Sequence, residues 1–162
     1  MKLAVWLDGV ILKVDLTDAL YGIYKGVPAE LPVTRETFDD WKELLKVKDE
    51  VYLLSPYDES TTGQIVRELG IEYPYISNYG KTKPSKAPYE ELFKRTKWDP
   101  VDVITIGSSP LDLLSARFYD SRIKVVCVER YRDCSRYSPF LMGKDLPSIL
   151  NPLKRLRKVN VE

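Results

Sequence analysis

The stretch LAVWLDGVIL, residues 3–12, joins an apolar strand-like run to a carboxylate that stands directly at its end. Its first five residues are apolar, the run stops at Asp8-Gly9, and apolar residues then resume. A run of this length that stops at a turn signal is typical of a strand buried on both faces of a parallel sheet. A carboxylate at the end of such a strand indicates chemistry, but Trp6 occupies the position where a partner carboxylate would share its side.

Apolar runs of strand length recur along the chain and alternate with residues at helical spacing. Three residues indicate helix ends: Thr34 as an N-cap, Gly70 as a C-cap glycine and Pro110 as a first helical residue. The further strand runs are VYLLS (51–55), YPYIS (73–77), VDVITIG (101–107) and KVVCVE (124–129). The helical sets are Phe38, Trp41, Leu44 and Leu45; Ile65, Val66 and Leu69; Tyr89, Leu92, Phe93 and Thr96; and Leu111, Leu114 and Phe118.

This alternation predicts a three-layer, Rossmann-like α/β domain of about five parallel strands joined by right-handed crossovers. We expect a single domain over residues 1–162, because this length suits one domain with its own core. Residues 13–33 fit the alternation poorly and predict a small insertion after the first strand, made of one helix and a loop. In such a domain ligands bind beyond the carboxyl ends of the strands.

Composition narrows the classes of function. Apolar residues make up 44% and charged residues 30%, and the net charge of +1 gives no overall field to attract nucleic acid or a membrane. The absence of histidine, with only Cys127 and Cys134 as thiols, excludes the usual Cys/His zinc sites and Ser-His or Cys-His nucleophile pairs. Two free thiols are the expectation in a reducing cytoplasm, although the two cysteines could pair if the geometry allows.

The chain is expected to be cytoplasmic and without a membrane partner. No apolar stretch approaches the roughly 18 residues that a membrane span needs. Lys2 is soon followed by Asp8 with no small-residue cleavage site, which argues against a signal peptide. One glutamine and three asparagines beside abundant Lys, Glu and Arg give a composition like that of thermophile proteins.

Polar residues stand at the carboxyl ends of the predicted strands. Asp8 follows the first strand, Ser55 ends the second, and Lys83 precedes a predicted helix. The fourth strand ends in GSSPLD (107–112), a turn leading into a helix. A hydroxyl, an ammonium group and helix N-terminal amides are what binds a phosphoryl group, so the sequence predicts a crevice of that kind.

In these residues the chain resembles the haloacid dehalogenase (HAD) superfamily of phosphohydrolases, over nearly its whole length. LDGVIL (7–12) is similar to the back half of the family's first motif, Asp-x-Asp-Gly-[Thr/Val]-hydrophobic. Ser55 matches the Ser/Thr that ends the second strand, and Lys83 matches the third-motif lysine. GSSPLDLLSA (107–116) is similar to the fourth motif, Gly-Asp-x-x-x-Asp. The resemblance implies a HAD-like fold with strand order 5-4-1-2-3 and, from the short insertion, a minimal cap.

The departures from the family's motifs concern its metal and its nucleophile. The family's nucleophilic Asp, which also ligates Mg²⁺, is replaced by Trp6, and the first acid of the fourth motif, a second Mg²⁺ ligand, is replaced by Ser108. An indole offers neither a nucleophile nor a metal ligand. The resemblance leaves Asp8 as general acid/base, Ser55 and Lys83 as phosphate-binding residues and Asp112 as a metal ligand.

Each of these residues also has a plain structural interpretation. Asp8 could belong to a simple turn, Ser55 could bond the local backbone, and Trp6 could fill the core. Asp112 could complement the dipole of its helix. Lys83 could be a solvated loop lysine, and Lys81 or Lys86 could be the motif lysine in its place.

The leading hypothesis is a HAD-like protein without phosphatase activity that acts as a binding or regulatory module, with a phosphorylated small molecule or a protein as partner. No cofactor is expected for such a protein. The alternative is a phosphohydrolase with altered or residual activity, in which Asp8 is a general base and Mg²⁺ the cofactor.

Two basic segments raise a third possibility. RYRDCSRYS (130–138) interleaves arginines with tyrosines, a pattern that can grip single-stranded nucleic acid, but a solvated loop is the favoured interpretation because the overall charge is nearly neutral. The basic residues of LKRLRKVNVE (153–162) suit a helix C-terminus. We therefore do not expect nucleic acid as a partner.

Overall fold

The computed structural model describes residues 1–161 and contains one six-stranded sheet in which every neighbouring pair of strands is parallel. The strand order is β3-β2-β1-β4-β5-β6, so β1 lies between β2 and β4 near the centre. The strands are β1 Lys2–Trp6, β2 Val51–Leu54, β3 Tyr75–Ile76, β4 Val103–Gly107, β5 Lys124–Val128 and β6 Leu141–Gly143. The α/β fold class is confirmed.

The sheet has six strands, one more than the five or so that the sequence predicts. The order of the first five agrees with the expected 5-4-1-2-3, and β6 extends the sheet beyond β5. β6 has only three residues and none of them is buried, so it lacks the apolar run by which the other strands were recognised. Two of the observed strands are shorter than their predicted apolar runs by two residues or more. The run 73–77 supplies only Tyr75–Ile76, and the start of 101–107 belongs to a 3₁₀ turn, Pro100–Asp102.

Residues 1–161 contain five α-helices, of which four lie between strands and the fifth follows β6. They are α1 Thr17–Tyr24, α2 Glu59–Leu69, α3 Ala87–Thr96, α4 Pro110–Tyr119 and α5 Leu146–Arg155. α2 ends as predicted at Gly70, whose φ of 68° is a left-handed conformation that glycine adopts readily. α4 begins as predicted at Pro110, after Ser109 as N-cap. α3 packs on α4, whereas α5 packs on β5, β6 and the 3₁₀ helix Trp41–Lys46.

The helix predicted after Thr34 is not an α-helix. Thr34 accepts a hydrogen bond from the backbone N–H of Glu36 in a local turn, and only a 3₁₀ helix, Trp41–Lys46, follows. The backbone between them is bonded to the segment after β1: Lys13 N–H donates to Glu36 O and Phe38 N–H donates to Ile11 O. These pairings use backbone groups that a helix would need, so tertiary contacts override the helical spacing.

The segment 13–33 contains the eight-residue helix α1 followed by irregular backbone. The hydroxyl of Tyr57 donates a hydrogen bond to Pro32 O, which ties the end of this segment to the loop after β2. Within residues 1–161, no helix is both long enough and apolar enough to cross a membrane.

The expectation of two free thiols is wrong for this structure, because Cys127 and Cys134 form a disulfide. Cys127 lies in β5 and Cys134 in the loop that follows, and this loop folds back until the two Cα atoms are 6.5 Å apart. Both side chains are fully buried. The bridge therefore fastens the basic segment 130–138 to the sheet.

Candidate functional site at the carboxyl ends of the strands

Asp8 is positioned by a tight turn directly after β1. The backbone N–H of Gly9 donates to Leu12 O, and the N–H of Leu12 donates to Leu7 O. Gly9 has a φ of 77°, and a Cβ placed there would lie 2.0 Å from the Oγ of Ser108. Glycine is needed here for its conformation and for the close approach of the β1 and β4 turns.

Asp112 is positioned by the turn between β4 and α4. Its Oδ2 accepts hydrogen bonds from the backbone N–H groups of Ser108, at 2.8 Å, and Ser109, at 3.2 Å. A Cβ on Gly107 would lie 2.6 Å from the same oxygen. Asp112 caps its own helix, as the plain interpretation holds, and only one of its oxygens is used for that purpose.

Lys83 joins the two acids in one buried ion cluster. Its Nζ donates to Asp8 Oδ2 at 2.6 Å and to Asp112 Oδ1 at 2.5 Å. The side chains of these residues, called here the Asp–Lys–Asp cluster, are at most 5% exposed. A buried charge is tolerated when it is paired and hydrogen-bonded, so each member of the cluster depends on the others.

Trp6 packs against this cluster. The Lys83 Nζ lies 4.3 Å from the ring centroid, within the range of a cation–π contact. The indole Nε1–H donates to the hydroxyl of Tyr89 at 3.2 Å, and that hydroxyl shares a 2.8 Å hydrogen bond with Thr105 Oγ1. All of these side chains are buried, so the indole fills the space beside the acids with its polar group satisfied.

The cluster is electrostatically unbalanced, because two carboxylates share one ammonium group. Burial disfavours the charge on Lys83, but the carboxylates of Asp112 and Asp8 outweigh burial and raise the pKa of Lys83 above its ordinary value. Burial raises the pKa of Asp112 to about 6, an effect that Lys83 opposes and the charge of Asp8 reinforces. Asp8 Oδ1 is buried and accepts no hydrogen bond from the residues described.

The remaining predicted site residues lie in different surroundings. Ser55 is buried, and its hydroxyl is bonded to the hydroxyl of Thr62 at 2.8 Å and to the backbone N–H of Tyr57 at 3.1 Å. This is the local bonding of the plain interpretation, and the role of Ser55 in binding phosphate stays a prediction. Of the three candidate lysines only Lys83 enters the cluster, since Lys81 and Lys86 are exposed.

Sequence reasoning missed the partners of Trp6. The sequence places Tyr89 six residues after the motif lysine Lys83, on a helical apolar face, and Thr105 inside a strand, and neither position indicates a contact with Trp6. A threonine hydroxyl within an otherwise apolar buried strand is the signal that could have shown a polar contact there, because buried hydroxyls require partners.

The residues present do not fit the Mg²⁺ ion that the resemblance implies. Mg²⁺ needs several hard oxygen donors in near-octahedral geometry. Asp8 and Asp112 already share the Lys83 ammonium. The side chain beside them is the indole of Trp6, which has no oxygen donor. Among residues 1–161, no group of three Asp, Glu, His or Cys side chains is arranged to hold a metal ion. The positive charge between the two carboxylates is supplied by Lys83.

A groove of about 610 Å³ opens beside the cluster. Its walls come from α1, from the loop between β3 and α3, and from α4. Residues that line it include Leu20, Ile23, Tyr24, Lys81, Lys86 and Phe118. Lys83 also lines it, but the side chain of Lys83 is only 1% exposed.

The basic segment 130–138 is largely engaged within the chain. Arg130 forms an ion pair with Asp40 at 2.6 Å and donates to Val10 O at 2.9 Å. Arg132 pairs with Asp15 at 2.8 Å. These contacts hold the segment against the turn that carries Asp8, and they reduce the number of arginines free to meet an anionic partner.

No protein-family model matches the sequence, and no curated protein is significantly similar to it. Solved structures do share its fold. L-2-haloacid dehalogenase from Xanthobacter autotrophicus superposes with a TM-score of 0.71 at 14% identity, over 95% of this chain and 98% of that one. A haloacid dehalogenase-like family hydrolase from Streptococcus pneumoniae gives 0.67 at 15% identity, over 96% of both chains.

A HAD-superfamily hydrolase from Geobacter sulfurreducens also superposes, with a TM-score of 0.65 at 14% identity, over 94% of this chain and 98% of that one. Three similar structures of nearly full coverage show that the chain has the HAD-like fold. At 14–15% identity these similarities show a shared fold and do not assign an activity.

Proposed function

We propose that this chain is a binding protein built on the HAD-like fold and that it does not hydrolyse phosphate esters. The observation that carries the proposal is the Asp–Lys–Asp cluster. Lys83 directs its ammonium group to Asp8 and Asp112 and packs on Trp6. A lysine committed to two carboxylates is not available to a phosphoryl group.

The chemistry of the neighbouring positions supports the same conclusion. Trp6 offers no nucleophile. The position between Asp8 and Asp112 where a cation would bind is already occupied by the ammonium group of Lys83. A phosphate entering this site would meet two buried carboxylates with a single cation already shared between them. Such an environment repels the charge that phosphoryl transfer has to stabilise.

A phosphohydrolase of altered mechanism is the second candidate, and one observation favours it. Asp8 Oδ1 has no hydrogen-bond partner among the described residues, so it retains a free acceptor that could take a proton from water. The same oxygen is buried, and water would reach it only if Lys83 or the turn moved.

Hydrolysis of p-nitrophenyl phosphate and of a panel of phosphate esters, with added Mg²⁺, separates the two candidates. The proposal expects release of phosphate no faster than in protein-free buffer. Asp8→Asn tests the cluster, and Asp39→Asn is the matched control because Asp39 is an exposed acid outside it. Turnover that scales with protein concentration, survives Asp39→Asn and is lost in Asp8→Asn contradicts the proposal.

A further inference from the structure

The groove beside the cluster has the composition of a ligand site. Apolar side chains form much of its wall, and Tyr24 and Phe118 are 58% and 57% exposed while Ile23 is 39% exposed. Large apolar side chains that remain exposed together are unfavourable in water unless something covers them. Its volume of about 610 Å³ falls in the range of sites that take small molecules.

The charge in this groove has one sign. Lys81 and Lys86 line it, and no acidic residue does. Within residues 1–161 neither lysine takes part in an ion pair. By contrast, Lys83, Arg130 and Arg132 each pair with an acid of the chain. Two unpaired ammonium groups beside an apolar wall are complementary to a ligand with an apolar body and an anionic group.

The hydroxyl of Thr82, in the loop that lines the groove, is a buried polar group without a partner within residues 1–161. Thr82 lines the groove between Lys81 and Lys83, and its buried Oγ1 has no hydrogen-bond partner among the described residues. Buried hydroxyls without a partner are rare in folded proteins. This oxygen has almost no exposed surface, so a ligand in the groove reaches it only if the loop shifts, and the hydroxyl adds no ligand contact in this structure.

From the exposed apolar wall and the two unpaired lysines we infer that the groove binds an amphipathic anion, that is, a small molecule with an aromatic or aliphatic body and a carboxylate, sulfonate or phosphate group. The anionic group is held by Lys81 and Lys86, and the body covers Ile23, Tyr24 and Phe118. Lys83 stays with its two carboxylates. This inference rests on the proposed function, because it names the ligand class of a binding protein.

Two fluorescent probes with the same body test it. Anilinonaphthalene sulfonate carries one negative charge, and N-phenylnaphthylamine is its uncharged parent. The sulfonate is expected to bind more tightly, and Lys81→Glu/Lys86→Glu is expected to raise its Kd about tenfold while the Kd of the uncharged probe changes less than about twofold. Phe118→Ser is expected to weaken both probes about fivefold, because it removes covering apolar area.

Lys42→Glu/Lys154→Glu is the matched control, since it makes the same charge change at exposed lysines outside the groove. It is expected to leave both Kd values within about twofold. The inference is overturned if wild-type protein binds the two probes equally. It is also overturned if the control double variant weakens the sulfonate as much as Lys81→Glu/Lys86→Glu does.

Near-ultraviolet circular dichroism establishes whether each variant is folded, because the sulfonate probe also binds partly unfolded protein. If the charge variant does not fold, a salt titration of wild-type protein decides instead: the Kd of the sulfonate is expected to rise with salt and that of the uncharged probe is not. Equal salt dependence overturns the inference. If wild-type protein binds the two probes equally and hydrolyses no ester, only the ligand class is contradicted. If wild-type protein hydrolyses phosphate esters, the proposed function is contradicted.

Discussion

The ammonium group of Lys83 lies 4.3 Å from the centre of the Trp6 ring and is bonded to two carboxylates at the same time. An indole face attracts a cation through its quadrupole, so the ring can act as a third, uncharged partner of the lysine. Trp6 therefore adds no negative charge to the site and still gives the cation a favourable neighbour.

Trp6→Asp combined with Ser108→Asp is expected to create an Mg²⁺ site next to Asp112. Loss of the buried indole leaves a cavity that costs on the order of 3–5 kcal/mol, and the added carboxylates repel one another until a cation binds. The melting temperature should therefore fall in chelator and rise as Mg²⁺ is added. Trp6→Asn/Ser108→Asn makes similar changes of volume without charge and should show no response to Mg²⁺. A folded Asp variant that is equally indifferent would show that positions 6 and 108 do not face a common site.

Lys83→Met is expected to reduce the free energy of unfolding by about 3–5 kcal/mol, because it leaves two buried carboxylates without their counter-charge. Urea unfolding at neutral pH measures the loss. Lys81→Met and Lys86→Met, at exposed neighbours, should each change the stability by less than about 0.5 kcal/mol. Combining Lys83→Met with Asp8→Asn and Asp112→Asn should recover part of the loss. A loss for Lys83→Met as small as that of the exposed lysines would contradict the buried cluster.

Asp112 should make stability fall as the pH rises towards 6. Its pKa is about 6 in the folded protein and near 3.8 when unfolded, so between these values the folded state binds more protons. By linkage, the extra stability is complete below pH 3.8 and is lost through pH 6, a change of about 2–3 kcal/mol.

The contribution of Asp112 is measured as the difference between wild type and Asp112→Asn in urea unfolding at several pH values. Carboxyls such as Asp58 and Asp145, whose pKa values are lowered by hydrogen bonds to the backbone and to neighbouring hydroxyls, act in the opposite sense but in both proteins. They cancel in the difference. A difference that does not vary between pH 4 and 7 would show that folding does not raise the pKa of Asp112.

Gly9→Ala is expected to destabilise the protein by about 2–3 kcal/mol, because it places a Cβ at a positive φ and against Ser108. Ser108→Ala removes the Oγ that would lie 2.0 Å from this Cβ. Adding it should recover the steric part of the loss and leave the conformational part. Gly26→Ala is a useful control, since that glycine also has positive φ but no atom within 4 Å of the added Cβ. Equal losses for the two single variants would remove the argument for close approach.

The centre of the sheet and its helix ends could be predicted from sequence because local patterns determine them. Continuous apolar runs identified β1, β2, β4 and β5, and Gly70 and Pro110 marked helix boundaries through their own backbone preferences. The failures lie where distant contacts decide. β6 is short and half exposed, and the backbone before Trp41 is paired with the segment after β1.

The candidate site shows the same division. The order and spacing of Asp8, Lys83 and Asp112 could be recognised in the sequence, but not that one ammonium group would occupy both carboxylates. The sequence left open whether Cys127 and Cys134 pair, because their proximity depends on a loop that folds back on the sheet. Side-chain pairing in three dimensions has no periodic signal in the chain.

The Asp–Lys–Asp cluster also has a consequence for the folding pathway. Its two ion pairs join residues 75 and 29 positions apart in the chain, so they require loop closures that are entropically costly. They also require charges to leave water, which becomes favourable only after the surrounding strands have assembled. We therefore expect the cluster to form after the rate-limiting step. Lys83→Met should accelerate unfolding and leave the folding rate nearly unchanged in stopped-flow chevron measurements, so the cluster should control how long the native state persists.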